Sequence, residues 1–301
     1  MPYPSKEHIF KTLITQSHRI NENATLFSEL DPSNNIDTEF WYYSDLYNLF
    51  GTPHFDLNKV HEHTWNAFKN ISATSSALYN HVEQCYREHN VHSPTPPYSI
   101  TKTFGPDAKL TRYACWALFK QIPNLIFTQM FFMTPNPDYK TLYRESYKFA
   151  RIYQRKKLRN TERILSGVLT NLDANIRLTQ HEMSRTLFGG MTNDDIRAHY
   201  HIPQTPHKPL SDYMGVYSLF ARRTAIDNAI NKFAHVQHPN LHSFNQILHN
   251  ELLAARNTML RNQRATPEQD IHPNEPINKI ESEYKKIERN FITQYSIEKI
   301  R

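Results

Sequence analysis

Residues 113–119, Tyr-Ala-Cys-Trp-Ala-Leu-Phe, are apolar or aromatic almost all the way round a helix. An α-helix of that kind has no face to offer water, so the fold must supply neighbours on several sides of it. Thr111 stands where an N-cap belongs, its hydroxyl able to accept from an otherwise unpaired amide of the first turn. The spacing therefore predicts a helix beginning at Arg112. A cation in the first turn opposes the helix dipole, so Arg112 has either a separate task or the freedom of a tolerated surface residue. Lys109 and Lys102 stand just upstream.

The surrounding pattern is α+β, predominantly helical. An amphipathic helix is expected over residues 6–30, and a short aromatic strand from Phe40 to Tyr42. Ser44 reads as the N-cap of a helix stopping at Gly51, and helices are expected from Asp56 to Lys69 and from Ser75 to His89. Tyr98 to Phe104 reads as a strand and Gly105-Pro106-Asp107 as a turn, so that a small hairpin feeds the buried helix.

Charge is unevenly placed. The chain has 35 Lys and Arg against 29 Asp and Glu, yet residues 140–187 alone hold 11 against 4. A concentrated basic helix points to a polyanion or an acidic partner, whereas a merely solvated face would intersperse its signs. Tyr143 to Phe188 reads as helical, with Gly167 the expected break, and an apolar stripe runs through Leu165, Val168, Leu169, Leu172, Ile176, Met183 and Leu187. The part before the stripe, Arg151 to Arg163, has few apolar residues and is expected to project. Arg151, Arg155, Lys156, Lys157, Arg159 and Arg163 are thus candidate nucleic-acid contacts, together with Lys102, Lys109 and Arg112 at the mouth of the buried helix.

Further on, Gly189-Gly190 ends a helix, and Thr192 with Asp195 forms a variant capping box. A helical pair is expected over 210–233. Arg222 and Arg223 lie there in an apolar run, at least one of them reaching solvent as a possible phosphate contact. Residues 264–276, polar and rich in Pro, read as a linker or flexible arm, and Ile277 to Arg301 as a docking helix. The expected domains are 1–139, 140–263 and 264–301.

Four stretches, 40–51 (FWYYSDLYNLFG), 109–119 (KLTRYACWALF), 187–203 (LFGGMTNDDIRAHYHIP) and 210–230 (LSDYMGVYSLFARRTAIDNAI), occur in an order that resembles the DNA-damage-inducible protein D family of bacteria. The N-terminal part of that family is similar to the Bro-N domain of phage antirepressors. Ser44 stands where the family usually places an Arg. The resemblance implies a non-enzymatic protein of the DNA-damage (SOS) response or of prophage origin, acting on DNA or on the RecA recombinase filament.

Catalytic signatures are few. There is no G-x-x-x-x-G-K-[ST] and no G-x-G-x-x-G. His61 and His63, two apart on a helix, point about 200° from each other, and His199 and His201 share the problem. Asp194-Asp195 suits a first helical turn better than a magnesium site. Two cysteines, Cys85 and Cys115, make no disulfide framework or zinc spacing. Trp41 and Trp65 fit a core better than base stacking. No window approaches the roughly 18 apolar residues that cross a bilayer, and the N-terminus lacks the apolar core of a signal peptide. These features lead to the expectation of a cytoplasmic binding protein without cofactor or metal, able to form homo-oligomers. A pure protein-interaction inhibitor of a recombinase is the alternative, and a divalent-metal nuclease a more distant one.

Overall fold

The computed structural model describes residues 5–19, 39–49, 82–92, 100–120, 125–204 and 208–295. The helix expected over Asp56 to Lys69, with Trp65, His61 and His63, lies outside the described residues. The chain divides into two compact units, Met1–Ser146 with Lys286–Arg301, and Tyr147–Lys285. The boundary expected after residue 139 thus falls at Ser146, and the stretch 264–301 is shared between the units.

The first unit is built on an antiparallel sheet in the order β1-β2-β4-β3: β1 His18–Arg19, β2 Glu39–Tyr42, β3 Val82–His92 and β4 Ile100–Thr111. Helix α1, Lys6–Thr15, is capped by Ser5 and buries Ile9 and Leu13. Helix α2, Tyr43–Leu49, follows β2 directly, so Ser44 is inside the helix and not its cap. Its amide and hydroxyl instead donate to the buried Asp107 carboxylate, at 3.1 and 2.5 Å. Helix α3, Arg112–Lys120, begins where Thr111 predicts, with the Ala114 amide 3.4 Å from the Thr111 hydroxyl. Helix α4 is Ile126–Met133.

The apolar helix has the neighbours its sequence demands. Phe119 stacks on Phe132 of α4 at 5.7 Å, and Phe291, near the end of the last helix, packs against Tyr113 and Trp116 at 5.9 and 5.4 Å. Trp41, wholly buried, donates to the Leu13 carbonyl at 2.8 Å.

Three further expectations fail here. The helix expected over residues 6–30 stops at Thr15, before β1. Residues 82–89 form a strand, not the end of a helix, because pairing with β4 decides. Cys85 and Arg87 turn inward while Tyr86 and Glu88 are exposed, a period of two. Gly105-Pro106-Asp107 continues β4 and does not turn. Strand β2 reaches β4 only over Lys109 to Thr111, so Pro106 has an edge position's freedom to lack an N–H.

The second unit is helical. Its long helix, α5, runs Tyr139–Asn171, entering from the first unit, and α6 is Ile176–Leu187. The break falls after Asn171, where Asp173 has φ 50° and Asn175 caps α6 by accepting from the Leu178 amide at 3.0 Å. Gly167 stays helical, contrary to expectation, because an open position does not force a break. Of the expected apolar stripe, Leu165, Leu169, Met183 and Leu187 are buried. The Thr192–Asp195 capping box opens α7, Asn193–His199. Helix α8 is Val216–Phe233, α9 Leu241–Gln263 and α10 Ile277–Tyr295.

The stretch expected to be a flexible arm is a folded strap. The Gly215 amide donates to the Asp270 carbonyl at 2.7 Å, and the His272 amide to the Tyr213 carbonyl at 2.8 Å. The Asp270 carboxylate accepts from the Ser218 amide, the Ser218 hydroxyl and the Tyr147 phenol at 2.9, 3.0 and 3.2 Å. Helix α8 has no side-chain cap of its own at Gly215, so a carboxylate from the strap satisfies its first turn. The polar composition that reads as a linker is in use as a cap.

Candidate nucleic-acid interface

The basic stretch of α5 presents two faces. Arg151, Arg155, Leu158, Thr161 and Leu165 recur at helical spacing and are all buried. Lys156, Arg159, Asn160 and Arg163 recur on another side and are all exposed. The segment expected to project therefore packs, through a stripe in which two arginines stand among apolar residues.

Those arginines have internal employment. Arg151, 1% exposed, donates its Nε to the Met214 carbonyl at 2.9 Å and an Nη to the Asp212 carbonyl at 3.3 Å. Burial pulls its guanidinium below the ordinary value, against the pull of Glu275, Asp270, Tyr147 and Asp212. Arg155 donates to Asp212 at 2.7 Å and to Glu162 at 3.1 Å. Arg222 lies 3.2 Å from the other Glu162 oxygen, and Arg159 reaches Asp212 only at 3.6 Å. Three guanidiniums, those of Arg155, Arg159 and Arg222, thus share two carboxylates. Pairing lowers the cost of burying the inner ones and leaves an excess of positive charge next to the outer face.

Measured against the sequence expectation, Arg112, Arg151, Arg155 and Arg222 are corrected from surface contacts to buried clamps. Arg112, 4% exposed, donates to the carbonyls of Phe131 and Thr134 at 2.8 and 3.1 Å and pairs with Glu39. Its guanidinium also lies over the rings of Trp41 and Phe131 at 5.2 and 5.5 Å. That is the separate task its awkward place in the first turn implies. Lys109 lies with Nζ 5.6 Å from the Phe40 ring. Lys102 sits opposite Asn90 in the β3–β4 pair, and its side chain lies outside the described residues.

The remaining candidates keep solvent access. Lys157 lies over the Tyr153 ring at 4.5 Å, and Arg223 over Phe220 at 5.2 Å, with Asp227 at 4.0 Å. Arg159 is 57% exposed. Among the described residues Lys156 and Arg163 have no carboxylate within ion-pair distance. Lys156 and Arg163 are seven residues apart, so a rise of 1.5 Å per residue separates them by roughly 10 Å along the axis. Such a row suits successive anionic groups of a polymer better than one small anion.

Sequence reading missed the counter-ions Asp212 and Glu162. The signal for burial was present, since Arg151 and Arg155 fall in register with Leu158 and Leu165. The identity of the acceptors was not, because Asp212 lies 57 residues from Arg155.

Among the described residues no group of three or more His, Cys, Asp or Glu side chains is placed to hold a metal ion. Burial pushes the Cys115 thiol well above its ordinary range, Arg112 opposing only in part, so a thiolate is disfavoured there. Asp195 is engaged with the Thr192 amide and hydroxyl, both at 2.8 Å. No helix among the described residues is long and apolar enough to cross a membrane. Comparison with protein-family models, with curated proteins and with solved structures finds no match.

Proposed function

We propose that this protein is a non-enzymatic binder of nucleic acid, engaging the phosphate backbone through Lys156, Arg159 and Arg163. The observation that carries the reading is the exposure of Lys156 and Arg163 without a carboxylate partner among the described residues, beside a network in which Arg155, Arg159 and Arg222 share the carboxylates of Asp212 and Glu162. A net charge of +6 adds long-range attraction to the same class of target. Contacts of this kind position a strand without reading its bases. The resemblance to the DNA-damage-inducible protein D family extends the proposal to a cytoplasmic role in the DNA-damage response, with DNA or a RecA recombinase filament as the target. A fluorescence-anisotropy titration with single- and double-stranded DNA at low salt tests it: saturable binding to either is expected, and none to both refutes the direct contact.

One observation favours a protein surface as the target instead. Ile164, next to Arg163, is 55% exposed, and an apolar side chain beside cations suits a mixed protein interface. In that reading the protein inhibits a recombinase without touching DNA, and inhibition of strand exchange survives charge reversal at Lys156 and Lys157.

A further inference from the structure

We propose that the exposed face of α5 enters the major groove of duplex DNA, with Asn160 reading an adenine and Ile164 meeting a thymine methyl. This rests on the phosphate contacts assigned above to Lys156, Arg159 and Arg163, and adds which form of DNA they hold and what is read between them. From Lys156 to Asn171 the exposed residues of α5 fall within an arc of about 140°. None of them is acidic or aromatic. A face without carboxylates matches the charge of a groove walled by phosphates. Single strands are held on aromatic rings that stack their bases, and this face offers no ring. It runs about 22 Å along the axis, and a helix about 10–12 Å across fits a major groove about 12 Å wide.

Three positions on that face do more than carry charge. Gly167 continues the row of Lys156, Asn160 and Arg163; it is exposed, and a Cβ added to it would meet nothing within 4 Å. Ala would fit there and favour the helix, so packing within the chain does not call for the gap. A bare backbone lets another surface come close. Asn160 stands one turn from both Lys156 and Arg163, and among the described residues nothing engages its carboxamide. A carboxamide pairs with adenine through two hydrogen bonds, donating to N7 and accepting from N6. Ile164, one turn beyond Asn160, is 55% exposed, and thymine presents its methyl group in the same groove.

Selection by the full chain from a duplex pool of randomised sequence tests the proposal. It is expected to enrich A·T-containing duplexes, bound about tenfold more tightly than a scrambled duplex. In the enriched duplex, 7-deazaadenine, which lacks the N7 acceptor, should weaken binding of the native chain several-fold and leave that of Asn160→Ala unchanged. Uracil in place of thymine should do the same for the native chain and not for Ile164→Ala. Gly167→Leu adds no charge and fills open space; it should weaken duplex binding about tenfold without lowering the melting temperature. DNA binding without enrichment, tighter binding to single strands than to duplex, or duplex affinity unchanged in Gly167→Leu overturns the groove contact and leaves the phosphate contacts standing. So does sequence preference undiminished in Asn160→Ala. Absence of all DNA binding removes both readings, and a recombinase filament bound through this face by a chain that binds no duplex marks a protein partner instead.

Discussion

Arg155 Nε and Asp212 Oδ1 are 2.7 Å apart, with both residues buried. Asp212 comes from the turn before α8 and so ties that turn to the basic helix. Removing one member of a buried pair leaves the other charge without compensation. Asp212→Ala is expected to destabilise the chain by about 3 kcal/mol in urea unfolding. Replacing both residues together, Asp212→Leu with Arg155→Met, is expected to cost less than the sum of the single changes.

Gly215 is needed for space. Its backbone, at φ −76° and ψ 178°, is one any residue adopts, but an added Cβ would stand 1.8 Å from an Asp270 oxygen. Gly215→Ala must therefore push the strap off the start of α8, at a cost of about 2 kcal/mol. Limited proteolysis is expected to cut within 264–276 faster in the variant than in the native chain.

Burial raises the Tyr147 phenol above its ordinary value, and the Asp270 carboxylate it donates to adds to the rise. A proton held more tightly in the folded state than in the unfolded one stabilises the fold below the unfolded value of about 10 and is lost progressively above it. This group's contribution to stability should be flat below that pH and fall as pH rises beyond it. Tyr147→Phe, lacking the titrating proton, is expected to show a shallower alkaline loss in melts followed by circular dichroism.

What the sequence discloses divides by the range of the interaction that decides it. Helix α3 was legible because Thr111 caps it locally and its apolar run can only be buried, and the Thr192–Asp195 box is local in the same way. Strand β3 was not, because its residues suit a helix until β4 pairs with every one of them. The strap was misread because polar residues that cap a distant helix look like polar residues that face water. In the candidate site, the exposed Lys156, Arg159 and Arg163 were legible as a basic run, whereas the burial of Arg112, Arg151, Arg155 and Arg222 depends on Glu39, Glu162 and Asp212, which only the fold brings near.

The central claim is that an exposed row of three cations on α5 engages phosphates, and the salt dependence of DNA affinity tests it most directly. Anisotropy titrations across a series of salt concentrations should give a slope of about −3 in log affinity against log salt for the native chain. Lys156→Glu with Arg163→Glu, both exposed, should bring the slope to about −1 while leaving the melting temperature unchanged. A slope identical in the two proteins, at equal affinity, would contradict the account.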